Sequence, residues 1–137
     1  MPSTDGIKLD VQGAGVLARK LRKLGASTQF IGRAVGGSVY RSFERVMEDS
    51  KVTYCPVDTG NLRASGQVTP PTIKGGDVTV SMGYGNTSVS YAVIVHETNK
   101  AYRNGKQWKY LETPLLKRIN EINQALLDDL NHALDTL

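Results

Sequence analysis

Apolar positions along this chain change period twice. From residue 14 to about 51 they recur at helical spacing, from 67 to 96 they alternate, and after 113 the helical spacing returns. Residues 14–24 place Val16, Leu17, Leu21 and Leu24 on one side and Arg19, Lys20, Arg22 and Lys23 elsewhere. That predicts a short basic helix stopped by Gly25 at C′. Ser27 is placed to cap a longer helix running to about Lys51, with Ile31, Val35, Val39, Phe43, Val46 and Met47 as its stripe. Gly36-Gly37 interrupts the stripe at about 1 kcal/mol per Gly relative to Ala. The pair reads either as a tolerated kink or as a close approach by another element or subunit.

Ile7, Leu9 and Val11 alternate with Lys8 and Asp10, which suggests a short strand in an otherwise polar lead, 1–13. Gln67-Val68-Thr69 reads as a weak strand closed by Pro70-Pro71, and Gly75-Gly76-Asp77 as a turn. Val78, Val80, Met82 and Tyr84 alternate with small polar residues, the pattern of a half-buried strand. Residues 85–88 are a turn cluster. Val89–His96 reads as a further strand, apolar on both faces and therefore covered twice or placed at an interface. A polar loop over 98–110 comes next, with a turn at Asn104-Gly105. Thr113-Pro114 then supplies an N-cap and a first-turn proline for a long helix carrying Leu115, Ile119, Ile122, Leu126, Leu130 and Leu134.

This order predicts an α+β fold: a small antiparallel sheet of three to four strands, packed by two N-terminal helices and a long C-terminal helix. At 137 residues the chain is expected to be one domain over 1–137. Hydrophobic residues make up 39% and charged residues 22%, so composition excludes wholesale disorder. No apolar run approaches the ~20 residues of a membrane span, and no membrane partner is expected. A single cysteine, Cys55, excludes an internal disulfide framework and fits a reducing compartment. The net charge of +4 permits a nucleic-acid neighbour without requiring one.

The richest local signal is Cys55-Pro56-Val57-Asp58-Thr59-Gly60-Asn61-Leu62-Arg63-Ala64-Ser65. Pro56 fixes its own φ, Asp58 and Thr59 can bond nearby amides, Gly60 can take positive φ, and Asn61 can cap the residues after it. The segment reads as a corner between the helical and alternating halves. Asp58-Thr59-Gly60 also matches the triplet of aspartic proteases, but that chemistry needs two carboxylates sharing a proton, and this chain offers one. His96-Glu97 has no second histidine four residues on, so the zinc pattern is incomplete. Cys55 as a nucleophile would need a base and an electropositive pocket, and an inert buried thiol is the simpler reading. Arg19, Lys20, Arg22 and Lys23 form either a solvated helix face or a DNA-facing one. Lys100, Arg103, Lys106 and Lys109 lie among Tyr102, Trp108 and Tyr110, a mixture that suits protein interfaces and single-stranded nucleic acid alike.

Three blocks together resemble the tail-component family of tailed bacteriophages, the neck or tail-completion proteins of the head-to-tail junction. They are the corner 55–65, the segment Tyr91-Ala92-Val93-Ile94-Val95-His96-Glu97, and Gly105-Lys106-Gln107-Trp108-Lys109-Tyr110-Leu111-Glu112 with the helix after it. Tyr110 stands where the family often has Phe, and the charged loop at 98–107 varies widely in such proteins, so nothing carries over there. The resemblance covers roughly 27–130. It implies a non-enzymatic virion part, assembled in the bacterial host cytoplasm, with no cofactor and no metal. It further implies a sixfold ring of copies meeting connector and tail proteins, with DNA passing the lumen. On this expectation Asp58, Thr59, Gly60, Leu62 and Arg63 fix the corner, Tyr91, His96 and Glu97 lie along an exposed edge, and Trp108 and Tyr110 anchor an interface or the base of the C-terminal helix. A nucleic-acid-binding accessory protein is the alternative, and an aspartic-type protease a more distant one.

Overall fold

The computed structural model describes residues 14–74, 77–86 and 89–136. The lead strand expected at Ile7, Leu9 and Val11, the turn residues Gly75 and Gly76, and Thr87 and Ser88 lie outside them. Among the described residues the protein is mixed helix and sheet, with six α-helices and one two-stranded antiparallel sheet. The helices are α1 (Ala14–Lys23), α2 (Thr28–Asp49), α3 (Asn61–Ala64), α4 (Ala92–Glu97), α5 (Glu112–Lys117) and α6 (Ile119–Asp135). The strands are β1 (Gln67–Lys74) and β2 (Asp77–Gly83). These residues fall into two compact units, one taking in 14–42, 69–81 and 119–136, the other 43–68 and 82–118.

In the first unit α1 packs on α6. Leu21, Ile31, Leu126, Leu130 and Ala133 are buried together, with Ala34, Val35 and Val39 against them. The expected punctuation is present. Ala26 N–H donates to Leu21 C=O at 2.9 Å and Gly25 N–H to Arg22 C=O at 3.0 Å, a Schellman stop for α1. Ser27 Oγ accepts the Phe30 amide at 3.0 Å and caps α2. Leu24, assigned by spacing to the buried side, is instead 62% exposed, because it sits in the closing turn past the last helical residue. Gly36 is a point of close approach: a methyl there would lie 2.7 Å from Pro71 Cβ and 3.2 Å from Val78, so the hairpin lies directly on the α2 backbone.

The second unit buries Met47, Cys55, Leu62, Tyr84, Val89, Ala92 and Tyr110 in one cluster. α2 runs into a π-helical turn at Ser50–Tyr54, closed by Cys55 N–H donating to Ser50 C=O at 2.7 Å.

The helices and strands themselves depart from expectation at three points. Among the described residues the sheet has two strands, so three to four are not confirmed: Ala92–Glu97, expected as strand, is helical. Val95 N–H donates to Tyr91 C=O and Thr98 N–H to Ile94 C=O, each at 3.0 Å, so tertiary anchoring overrides the β-propensity of a Val-Ile-Val run. β1 does not close at Pro70 but runs to Lys74. A two-stranded ribbon leaves outward N–H positions where proline costs no ladder bond, and the inward positions shift from even (Val68) to odd (Pro71, Ile73) at the proline pair. Finally, the C-terminal helix is broken at Arg118. The helix begins at Glu112, so Thr113 and Pro114 are its second and third residues, and the Thr113 hydroxyl accepts from Gln107 Nε2 rather than capping. Arg118 N–H bonds both Pro114 and Leu115 carbonyls and its guanidinium pairs with Asp49.

Candidate functional site

The three segments carrying the sequence signal all belong to the second unit. The corner is built from its backbone outward. Gly60 takes φ +88°, a left-handed geometry costing a side-chain-bearing residue roughly 1–2 kcal/mol. Thr59 Oγ1 accepts the Asn61 amide at 3.3 Å, so the cap of α3 comes from Thr59 and Gly60, not from Asn61. Leu62 is buried and closes the corner from below. Ser65 Oγ donates to Leu62 C=O at 2.6 Å and accepts the Gly85 amide at 2.9 Å. Val57, Asp58, Thr59 and Arg63 face solvent. Asp58 and Arg63 do not pair with each other, and the contacts that hold the corner run through its backbone, Thr59 and Ser65.

Behind the corner lies a buried polar relay that the sequence did not announce. Ser50 Oγ is 2.5 Å from Tyr110 C=O and 2.7 Å from the Tyr84 hydroxyl. A carbonyl only accepts, so Ser50 donates to Tyr110 and Tyr84 must donate to Ser50. The Tyr110 hydroxyl in turn donates to Ala92 C=O at 2.7 Å. The Tyr84 and Tyr110 rings meet edge to face at 4.9 Å, and the Tyr110 and His96 rings at 5.0 Å. Burial raises both tyrosine hydroxyls above their ordinary range. The signal available in the sequence was a small polar residue, Ser50, at the end of an apolar stripe.

Tyr110 is therefore a core residue, 1% exposed, and not an interface contact; it remains the base of the helix after it. Cys55 is fully buried and burial raises its thiol to about 11, the opposite of an activated nucleophile. His96 and Glu97 meet Lys109. Glu97 is 3.1 Å from His96 Nδ1 and 2.5 Å from Lys109 Nζ, and Glu112 is 3.3 Å from the same ammonium. The bond from Lys109, with His96 second, lowers the Glu97 carboxyl, and Glu97 raises Lys109 in return. Trp108 is half-buried with the Lys109 ammonium over its ring at 5.5 Å. Tyr91, just ahead of α4, is 40% exposed and Ile94, on its outer face, 67% exposed, an aromatic–aliphatic pair at i, i+3. In the first unit Arg19, Lys20, Arg22 and Lys23 are all exposed on α1. Among the described residues no three His, Cys, Asp or Glu side chains gather to hold a metal ion, and no helix is long and apolar enough to cross a membrane.

Comparison with protein-family models, with curated proteins and with solved structures finds no match to this chain.

Proposed function

We propose that this chain is a structural virion protein of a tailed phage, placed at the head–tail junction. In this reading copies join head to tail in a sixfold ring between the connector and the tail, and the protein works by shape. One observation carries the reading. The blocks that resemble the tail-component family, remote in sequence, contribute Cys55, Leu62, Ala92 and Tyr110 to one core and leave Asp58, Thr59, Tyr91, Ile94 and Glu97 on the surface. A head-to-tail contact between copies closes into a ring when its rotation permits, and an exposed aromatic–aliphatic pair such as Tyr91 and Ile94 is the sort of anchor such contacts use. Negative-stain microscopy and sedimentation of the purified protein, alone and with tail tubes, test it. Ring particles or tube-end caps are expected; a monomer that persists in the presence of tails and connectors refutes it.

A second reading rests on the exposed α1 cations. If Arg19, Lys20, Arg22 and Lys23 meet phosphates, affinity for duplex DNA falls steeply as salt rises, with a log–log slope of about −0.9 per phosphate neutralised. Binding measured at two salt concentrations decides, and an affinity indifferent to salt removes this reading.

A further inference from the structure

We propose that His96 is a proton-sensitive catch on the segment entering α5. The N-terminal amides of this helix can be accounted for completely. Thr113 N–H donates to Lys109 C=O at 2.9 Å, Pro114 has no N–H, and Leu115 N–H donates to Leu111 C=O at 3.2 Å. The remaining first-turn amide, Glu112 N–H, donates to His96 Nε2 at 3.3 Å. A side chain on α4 thus caps α5 by accepting from a donor that otherwise has no intrahelical partner.

This contact fixes the chemistry of the ring. A nitrogen that accepts an amide proton carries none itself, so Nε2 is bare and the neutral ring holds its proton on Nδ1, where Glu97 Oε1 accepts at 3.1 Å. A second proton would go to Nε2. The ring would then point N–H at N–H, and the cap would be lost. The charged groups around the ring are the Glu97 and Glu112 carboxylates and the Lys109 ammonium bonded to both, and the Tyr110 ring packs beside it edge to face.

What the catch restrains is Lys109. It has φ +51°, a left-handed conformation in a residue other than Gly, Asn or Asp. Lys109 N–H donates to His96 C=O at 2.8 Å, its carbonyl receives Thr113, and its ammonium holds Glu97 and Glu112. Such a conformation persists only where its surroundings over-determine it. The cap ties Glu112, one of the two carboxylates on that ammonium, back to His96, so opening it in acid slackens the support around Lys109 and loosens the turn carrying Trp108. All of these contacts lie within one chain, so the catch operates whether or not copies assemble.

Nitrogen-15 NMR of the imidazoles and amide exchange test it on the intact chain. At pH 8 His96 should be the Nδ1–H form with Nε2 bare, with exposed His132 as the internal reference. The exchange protection of the Glu112 amide, corrected for intrinsic rate, should fall about fivefold between pH 8 and pH 5, the loss of one ordinary hydrogen bond. His96→Gln puts a carbonyl oxygen near the Nε2 position and should hold that protection equally at both pH values. An Nε2–H tautomer at pH 8, or wild-type Glu112 protection that does not change between the two pH values, overturns the proposal.

Discussion

Deleting the Ser50 hydroxyl gives the sharpest test of the packing behind the corner. Ser50 is fully buried and serves two groups at once. Ser50→Ala leaves the Tyr84 hydroxyl without its acceptor and the Tyr110 carbonyl without its donor. The neighbouring Cys55 sulfur is a weak substitute acceptor. At about 1–3 kcal/mol for each buried group left unpaired, the variant should lose about 2–5 kcal/mol. Tyr84→Phe removes a donor but leaves the Ser50–Tyr110 bond intact, and should lose about 1 kcal/mol. In the double variant the orphaned hydroxyl no longer exists. It should therefore be more stable than Ser50→Ala alone, with a coupling of about 1–2 kcal/mol between the two sites. Urea titration read at constant m gives all four corners of the cycle. Additivity within about 0.5 kcal/mol would refute the relay, because the two hydroxyls would then be acting independently.

Gly36→Ala should cost about 1–3 kcal/mol, since the added methyl meets Pro71 at 2.7 Å, while Gly37→Ala, which meets only the flexible end of Arg41, should stabilise α2 by up to about 1 kcal/mol; thermal melts separate them. Gly60→Ala meets no atom within 4 Å yet must hold φ +88°, so it should lose about 1–2 kcal/mol through backbone strain alone. Below pH 9 the Cys55 thiol is protonated in both states. Between pH 9 and about 11 the unfolded chain gives up its proton while the folded one keeps it. Stability should accordingly fall across that window by about 2–3 kcal/mol at most, and Cys55→Ala should flatten this part of the alkaline limb.

Where local chemistry decides, the sequence was readable. Gly25 and Ser27 set the α1–α2 junction, and the alternation of Val78, Val80 and Met82 reappears as the half-buried face of β2. The readings failed where tertiary contacts outvote propensity. Val93-Ile94-Val95 looks like strand, but the Tyr110 hydroxyl on Ala92 C=O and the inward packing of Ala92 hold that segment as a helix. The stripe from Leu115 to Leu134 looks continuous, but Arg118 turns out of it to reach Asp49. At the candidate site the three blocks stand out by their residue chemistry, but their convergence on one core leaves no mark in the sequence. Ser50 and Lys109 were missed because neither a buried serine nor a left-handed lysine has a periodic signature.

Both cores are stitched from distant stretches of chain. One needs Met47, Cys55 and Leu62 to wait for Tyr110; the other needs Leu21 and Ile31 to wait for Leu126, Leu130 and Ala133. A ribosome delivers these residues in order, so one hydrophobic centre cannot close before Tyr110 has emerged, nor the other before Ala133 has. A nascent chain cut short before α6 should therefore leave Leu21 and Ile31 without their partners and be cleared by proteases rather than accumulate.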